Sequence, residues 1–126
     1  MTITHIQLVS RPVSDQERAK SFYVDVLGFK LIRENPMGPD HTWVQVGLEG
    51  QSTSLVLATW FPSMTPGSSK GMVLETDDLD GDIKRLRDKG VTFNGDVEEE
   101  PWGRFITLDD PDGNGIILQA TADGLE

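Results

Sequence analysis

The sequence predicts an α+β fold: two β-α-β-β-β modules whose curved mixed sheets form a cup, with the helices on the outer face. Three observations carry this. The hydrophobic pattern runs strand, helix, strand, strand, strand, and after a stretch rich in Pro, Gly and Ser it runs through the same order again. The helix-ending glycines of the two runs, Gly28 and Gly90, stand 62 residues apart, and the helix-opening Asp15 and Asp77 share that offset. Finally, Asp109-Asp110-Pro111-Asp112-Gly113-Asn114 is turn chemistry between two β-rich runs, which reads as a hairpin.

The elements follow in order. Residues 3–9 alternate as a strand, with Ile6 and Leu8 on one face and Ile3, His5, Gln7 and Val9 on the other. Ser14 is the expected helix N-cap, with Glu17 completing a capping box and Asp15 complementing the dipole. The helix runs to about Leu27 on an apolar stripe of Ala19, Phe22, Tyr23 and Val26, and Gly28 ends it. Strands are expected over 29–34, 41–48 and 54–60. In the second of these Val44, Val46 and Leu48 face inward, while Trp43 and Gln45 face the other way. After a linker over 61–69 the second run gives a strand over 71–76 and a helix opened by Asp77, Asp78 and Asp80. Another strand is expected at 91–93, a solvated loop over 94–103 that includes Glu98-Glu99-Glu100, and then the hairpin. The chain thus reads as a single domain over 1–126, with modules at 1–60 and 70–126.

Composition bounds the function. There are 0 cysteines, which excludes a disulfide scaffold, a zinc–thiolate site and a cysteine nucleophile. The N-terminus lacks the basic and apolar regions of a signal peptide, and no apolar run reaches the roughly 20 residues of a membrane span. A cytoplasmic protein that does not engage membranes is expected. A net charge of −10 argues against a nucleic-acid partner and favours a cationic ligand over an anionic one; the plainer reading is a solubilising surface.

Phe22-Tyr23, Val26-Leu27-Gly28-Phe29, Glu75-Thr76-Asp77-Asp78-Leu79, Pro101-Trp102-Gly103-Arg104 and Asp110-Pro111-Asp112-Gly113-Asn114 occur in order over nearly the whole chain. In these the sequence resembles the vicinal oxygen chelate superfamily, which includes glyoxalase I, extradiol dioxygenases and bleomycin-resistance proteins. The resemblance implies the cup-shaped fold and a homodimer, with the cup built across or beside the subunit contact. It also implies four cup-facing positions where metal enzymes of the family place ligands. Carried over by motif, these are His5, Val56, Gly71 and Ile117. Only His5 has a donor, and His41 stands at a loop–strand boundary. A divalent ion needs three or four such ligands, so no metal and no cofactor is expected. His5 is left as a general base, a hydrogen-bond partner for a ligand, or an ordinary strand histidine.

Three tryptophans, Trp43, Trp60 and Trp102, give the stronger ligand signal, because an indole offers a broad flat face and one N–H. The expected ligand-binding set is His5, Gln7, Trp43, Gln45, Val56, Trp60, Trp102, Phe105, Ile117 and Gln119, with Glu75 also pointing cupward. The function expected is metal-independent binding and sequestration of a planar or cationic aromatic small molecule, such as an antibiotic. The alternative is an enzyme of the same superfamily, a lyase, isomerase or dioxygenase-like protein, using His5 as base or metal ligand and Glu75 as its helper. A structural dimer with a plugged cup is the third possibility.

Overall fold

The computed structural model describes residues 2–122. Its strands form two four-stranded mixed sheets. The first has the order β1-β4-β3-β2, from Leu8–Pro12 (β1), Ser54–Ala58 (β4), Thr42–Gly47 (β3) and Lys30–Pro36 (β2). The second has the order β5-β8-β7-β6, from Met72–Glu75 (β5), Gly115–Thr121 (β8), Gly103–Asp109 (β7) and Glu98–Glu100 (β6). In each sheet the first strand pairs parallel with the last, and the remaining pairs are antiparallel. This is the α+β fold expected, and the two sheets are not closed into a barrel. No helix among the described residues is long and apolar enough to cross a membrane.

Helices cover one face of both sheets. The first is α1 (Gln16–Ser21), which runs straight into a π-helical turn over Phe22–Val26; the second is α2 (Leu79–Asp88). One core joins them: Val13, Ala19, Tyr23 and Phe29 pack with Val44, Val46, Leu55 and Leu57 of the first sheet and with Leu79, Ile83, Leu86, Ile106, Leu108, Ile116 and Leu118 of the second half.

Several expected elements move. The first strand is Leu8–Pro12 and not 3–9, because its partner β4 begins only at Ser54, opposite Leu8. Residues 2–7, His5 and Gln7 among them, lie outside any strand and are exposed. The cap of α1 is Asp15, whose side chain accepts from the Arg18 N–H at 3.1 Å. Ser14 instead donates its backbone N–H to Asp112 across the molecule at 3.2 Å. The cap of α2 is Asp78, which makes the true offset between caps 63 residues. The offset between Gly28 and Gly90 remains 62, and the π turn takes up the extra residue of the first helix. Leu48 is exposed, since β3 has already ended at Gly47. The expected strand at 91–93 is reduced to a single bridge, Phe93 to Leu108, and the loop over 94–103 contains β6, the edge strand made by the three glutamates.

The hairpin turn of the last two strands clamps the halves together. Asp110, 4% exposed, accepts from the Tyr23 hydroxyl at 2.9 Å, from the Asn114 side-chain amide at 2.9 Å and from the Asp112 and Asn114 backbone N–H groups at 3.0 and 2.9 Å. Asn114 also donates to the Pro12 carbonyl at 2.7 Å. Arg11, buried on β1, donates to the Gly115 carbonyl and to the Met72 sulfur, and its Nε lies 4.0 Å from Asp110. Gly67 supports the same turn: its φ is +86°, and a Cβ there would run into the Asp112 carbonyl oxygen.

Candidate functional site

The faces of the two sheets opposite the helices carry the aromatic residues. On β3 the buried Val44 and Val46 alternate with Trp43 and Gln45, which therefore stand on the free face. Trp43 is held by its edge: its indole N–H donates to the Gln45 side-chain carbonyl at 3.0 Å, and the Gln45 amide donates to the Ser54 hydroxyl at 2.7 Å. Trp60 stacks on Trp43 with ring centroids 6.3 Å apart and planes inclined by 20°. His41 and Phe61 flank Trp60 at 5.8 and 5.9 Å. Arg33, opposite Gln45 in register, places its guanidinium 5.3 Å from the centre of the Trp43 ring.

A second aromatic pair stands on the second sheet. Ile106 and Leu108 of β7 point into the core, so Phe105 faces away from it. Trp102, in the turn between β6 and β7, stacks on Phe105 at 5.2 Å with planes inclined by only 12°, and 43% of it remains exposed. The turn is set by Gly103, whose φ of +149° suits glycine and whose Cβ would crowd the Ala120 carbonyl. The Trp102 carbonyl accepts from the Ala122 N–H at 2.9 Å.

Of the residues expected from the sequence, the structure therefore brings Trp43, Gln45 and Trp60 into one group and Trp102 and Phe105 into another. Ile117 and Gln119 share the free face of the second sheet with Phe105. Gln119 donates to the Thr121 hydroxyl at 3.0 Å. Val56, opposite Gln45, is fully buried. Glu75 is exposed, and Thr121 donates to it through its N–H at 3.0 Å and its hydroxyl at 2.6 Å. Those bonds to the charged form hold its carboxyl below the usual carboxylate range. The two aromatic groups do not meet within one chain: each lies on the third strand out from the junction of β1 and β5. Arg33, His41 and Phe61 were missed in the sequence reading. Only the β2–β3 register and the stacking on Trp60 show that they belong to the first group.

The residues present do not fit a bound metal. His5 is exposed, and among the described residues its ring nitrogen meets only the Thr4 hydroxyl, at 2.9 Å. With the caps at Asp15 and Asp78, the position on the first strand equivalent to Gly71 is Leu8. Leu8, Val56, Gly71 and Ile117 offer no side-chain donor, and among the described residues no three His, Cys, Asp or Glu are grouped to hold an ion. A cavity of about 250 Å³ opens where the two sheets meet, lined by Val9, Phe29, Leu48, Leu55, Met72 and Leu74.

Comparison with known proteins agrees with this architecture. The family model of the glyoxalase/bleomycin resistance protein/dioxygenase superfamily matches residues 2–118. The protein YetH of Bacillus subtilis (strain 168) is 34% identical over 121 residues, covering 93% of this chain and 98% of that one. The crystal structure of TnmS3, an antibiotic binding protein from Streptomyces sp. CB03234, is 50% identical with a TM-score of 0.90, covering 97% of this chain and 99% of that one. A glyoxalase/bleomycin resistance protein/dioxygenase superfamily member from Sphaerobacter thermophilus DSM 20745 is 34% identical with a TM-score of 0.87, covering 95% and 99%. The two four-stranded sheets, the two helices and a family model spanning nearly the whole chain lead to one conclusion: the chain belongs to the glyoxalase/bleomycin resistance protein/dioxygenase superfamily.

Proposed function

We propose that this protein binds and sequesters a planar aromatic small molecule, an antibiotic being the class to which its similarity to TnmS3 points. The observation that carries the reading is the pair of aromatic stacks on the free sheet faces, Trp43–Trp60 and Trp102–Phe105. Stacked rings that stay open to solvent give a flat ligand a ready surface at little entropic cost, because their rotamers are already set. Binding of this kind makes and breaks no covalent bond and needs no metal.

The working form in this reading is a homodimer. Ile32, Val73 and Trp102 expose 53%, 48% and 43% of their surface. A second copy laid against the free sheet faces covers this apolar surface and closes the space around the ligand.

The test is a titration of tryptophan fluorescence with a panel of planar aromatic antibiotics, followed by calorimetry on any that quench. Trp43→Ala and Trp102→Ala are each expected to weaken binding about tenfold or more. Absence of quenching across the panel would refute the reading.

A further inference from the structure

We infer that the Trp102–Phe105 pair, together with Glu98, is the end of the site that receives a protonated amine, so that the ligand is a planar aromatic compound carrying an alkylammonium group. This rests on the binding function proposed above and gives it a polarity.

The two aromatic groups differ in charge. At the first, a cation is already present: the Arg33 guanidinium lies 5.3 Å from the centre of the Trp43 ring, and His41 flanks Trp60. A ligand cation brought there meets Arg33 in the place it would take. At the second group no cation among the described residues is over the rings. Arg104, the base nearest in sequence, is opposite Glu99 in register and so stands on the other face of the sheet, where it pairs with Asp80 at 3.1 Å and Glu99 at 3.6 Å.

A carboxylate does share the face of the rings. Glu98 is directly opposite Phe105 in the β6–β7 ladder, which puts its Cβ about 5 Å from that of Phe105 on the same side. Among the described residues Glu98 makes no ion pair, unlike its neighbour Glu99. Next along the strand on that face, Glu100 is opposite Gly103, beside Trp102 in the turn. A ring pair whose Trp102 is exposed, with an unpaired carboxylate beside it, provides both attractions an ammonium group uses: the negative face of the aromatic ring and a counter-charge.

The wider field has the same sign. The module over 70–126 contains fifteen acids and six bases, whereas the module over 1–60 contains six acids and five bases. The net charge of −10 is thus carried almost wholly by the module that holds the second aromatic pair, and its field favours a cation in that half of the chain.

The experiment uses three matched probes on the intact protein: anthracene bearing an aminomethyl, an acetamidomethyl or a carboxyl group. Dissociation constants are measured by tryptophan quenching and calorimetry at pH 7 in low salt. The aminomethyl probe is expected to bind about tenfold tighter than the acetamide, and the carboxylate weakest. Glu98→Gln is expected to erase the preference for the amine while leaving the acetamide affinity within about twofold. Glu99→Gln, on the other face, is expected to keep the preference. Equal affinity for amine and acetamide in the native protein, or an amine preference that survives Glu98→Gln, overturns the inference while the binding function stands. Failure of all three probes to bind, with the antibiotic panel also silent, overturns both.

Discussion

At the scale of single residues, Asp110 has the most to lose. Its two oxygens accept from four donors in two halves of the chain, and it stands beside the buried Arg11. Asp110→Ala would leave the Tyr23 hydroxyl and two backbone N–H groups without this acceptor, the Asn114 amide with only the Pro12 carbonyl, and the guanidinium without a counter-charge, a loss of about 3–5 kcal/mol. Tyr23→Phe removes one donor and keeps the packing of a ring that is wholly buried, a loss of about 1–3 kcal/mol. Urea unfolding checks both, as a fall in the midpoint at unchanged slope. The sequence marked Asp110 as a turn former and Tyr23 as part of an apolar stripe. Both readings hold, yet neither contains the bond between them. Contacts between residues 87 positions apart leave no periodic trace along the chain. Trp43 and Gln45 were legible because a strand alternates and their neighbours Val44 and Val46 are plainly apolar. His5 was placed on a strand by the same alternation, and wrongly, since alternation does not reveal where the partner strand begins.

At the scale of elements, the two helices show how local chemistry and fold divide the work. Both ends that the sequence marked with acids are capped by an aspartate, but the capping residues are Asp15 and Asp78, not Ser14 and Asp77. Asp15→Ala and Asp78→Ala should each cost about 1 kcal/mol through loss of the bonds to the Arg18 and Gly81 N–H groups. The same unfolding curves measure this, and a cost for Asp77→Ala equal to that for Asp78→Ala would contradict the assignment. The π turn could not be read from the sequence, since its residues Phe22-Tyr23-Val24-Asp25-Val26 suit an α-helix equally well. The mismatch of one residue between cap spacing and glycine spacing shows only once the second cap is placed at Asp78. Strand β6 was hidden for a different reason. Three consecutive glutamates have low strand propensity, and they are extended because β7 offers a free edge for them to pair with. Charged residues on such an edge also discourage further strands from adding to it.

At the scale of the whole molecule, the question is how two aromatic groups on separate sheets could serve one ligand. Each lies on the third strand out from the junction of the sheets, so they are at corresponding places in the two halves. A two-fold axis along the strands, between two copies set face to face, would bring the β3 face of one against the β7 face of the other, twice over. In the proposed dimer each site then takes Trp43 and Trp60 from one copy and Trp102 and Phe105 from its partner. Mixing of damaged chains tests this arrangement. Trp43→Ala and Trp102→Ala each spoil both sites of their own homodimer. After unfolding and refolding the two variants together, about half of the dimers should contain one chain of each kind. In such a dimer one site carries both substitutions and the other carries neither. About a quarter of all sites should therefore regain full affinity for a ligand that each variant alone binds only weakly. Calorimetric stoichiometry reads that fraction directly. If instead each chain holds a complete site, every site in the mixture keeps one lesion, and mixing restores nothing.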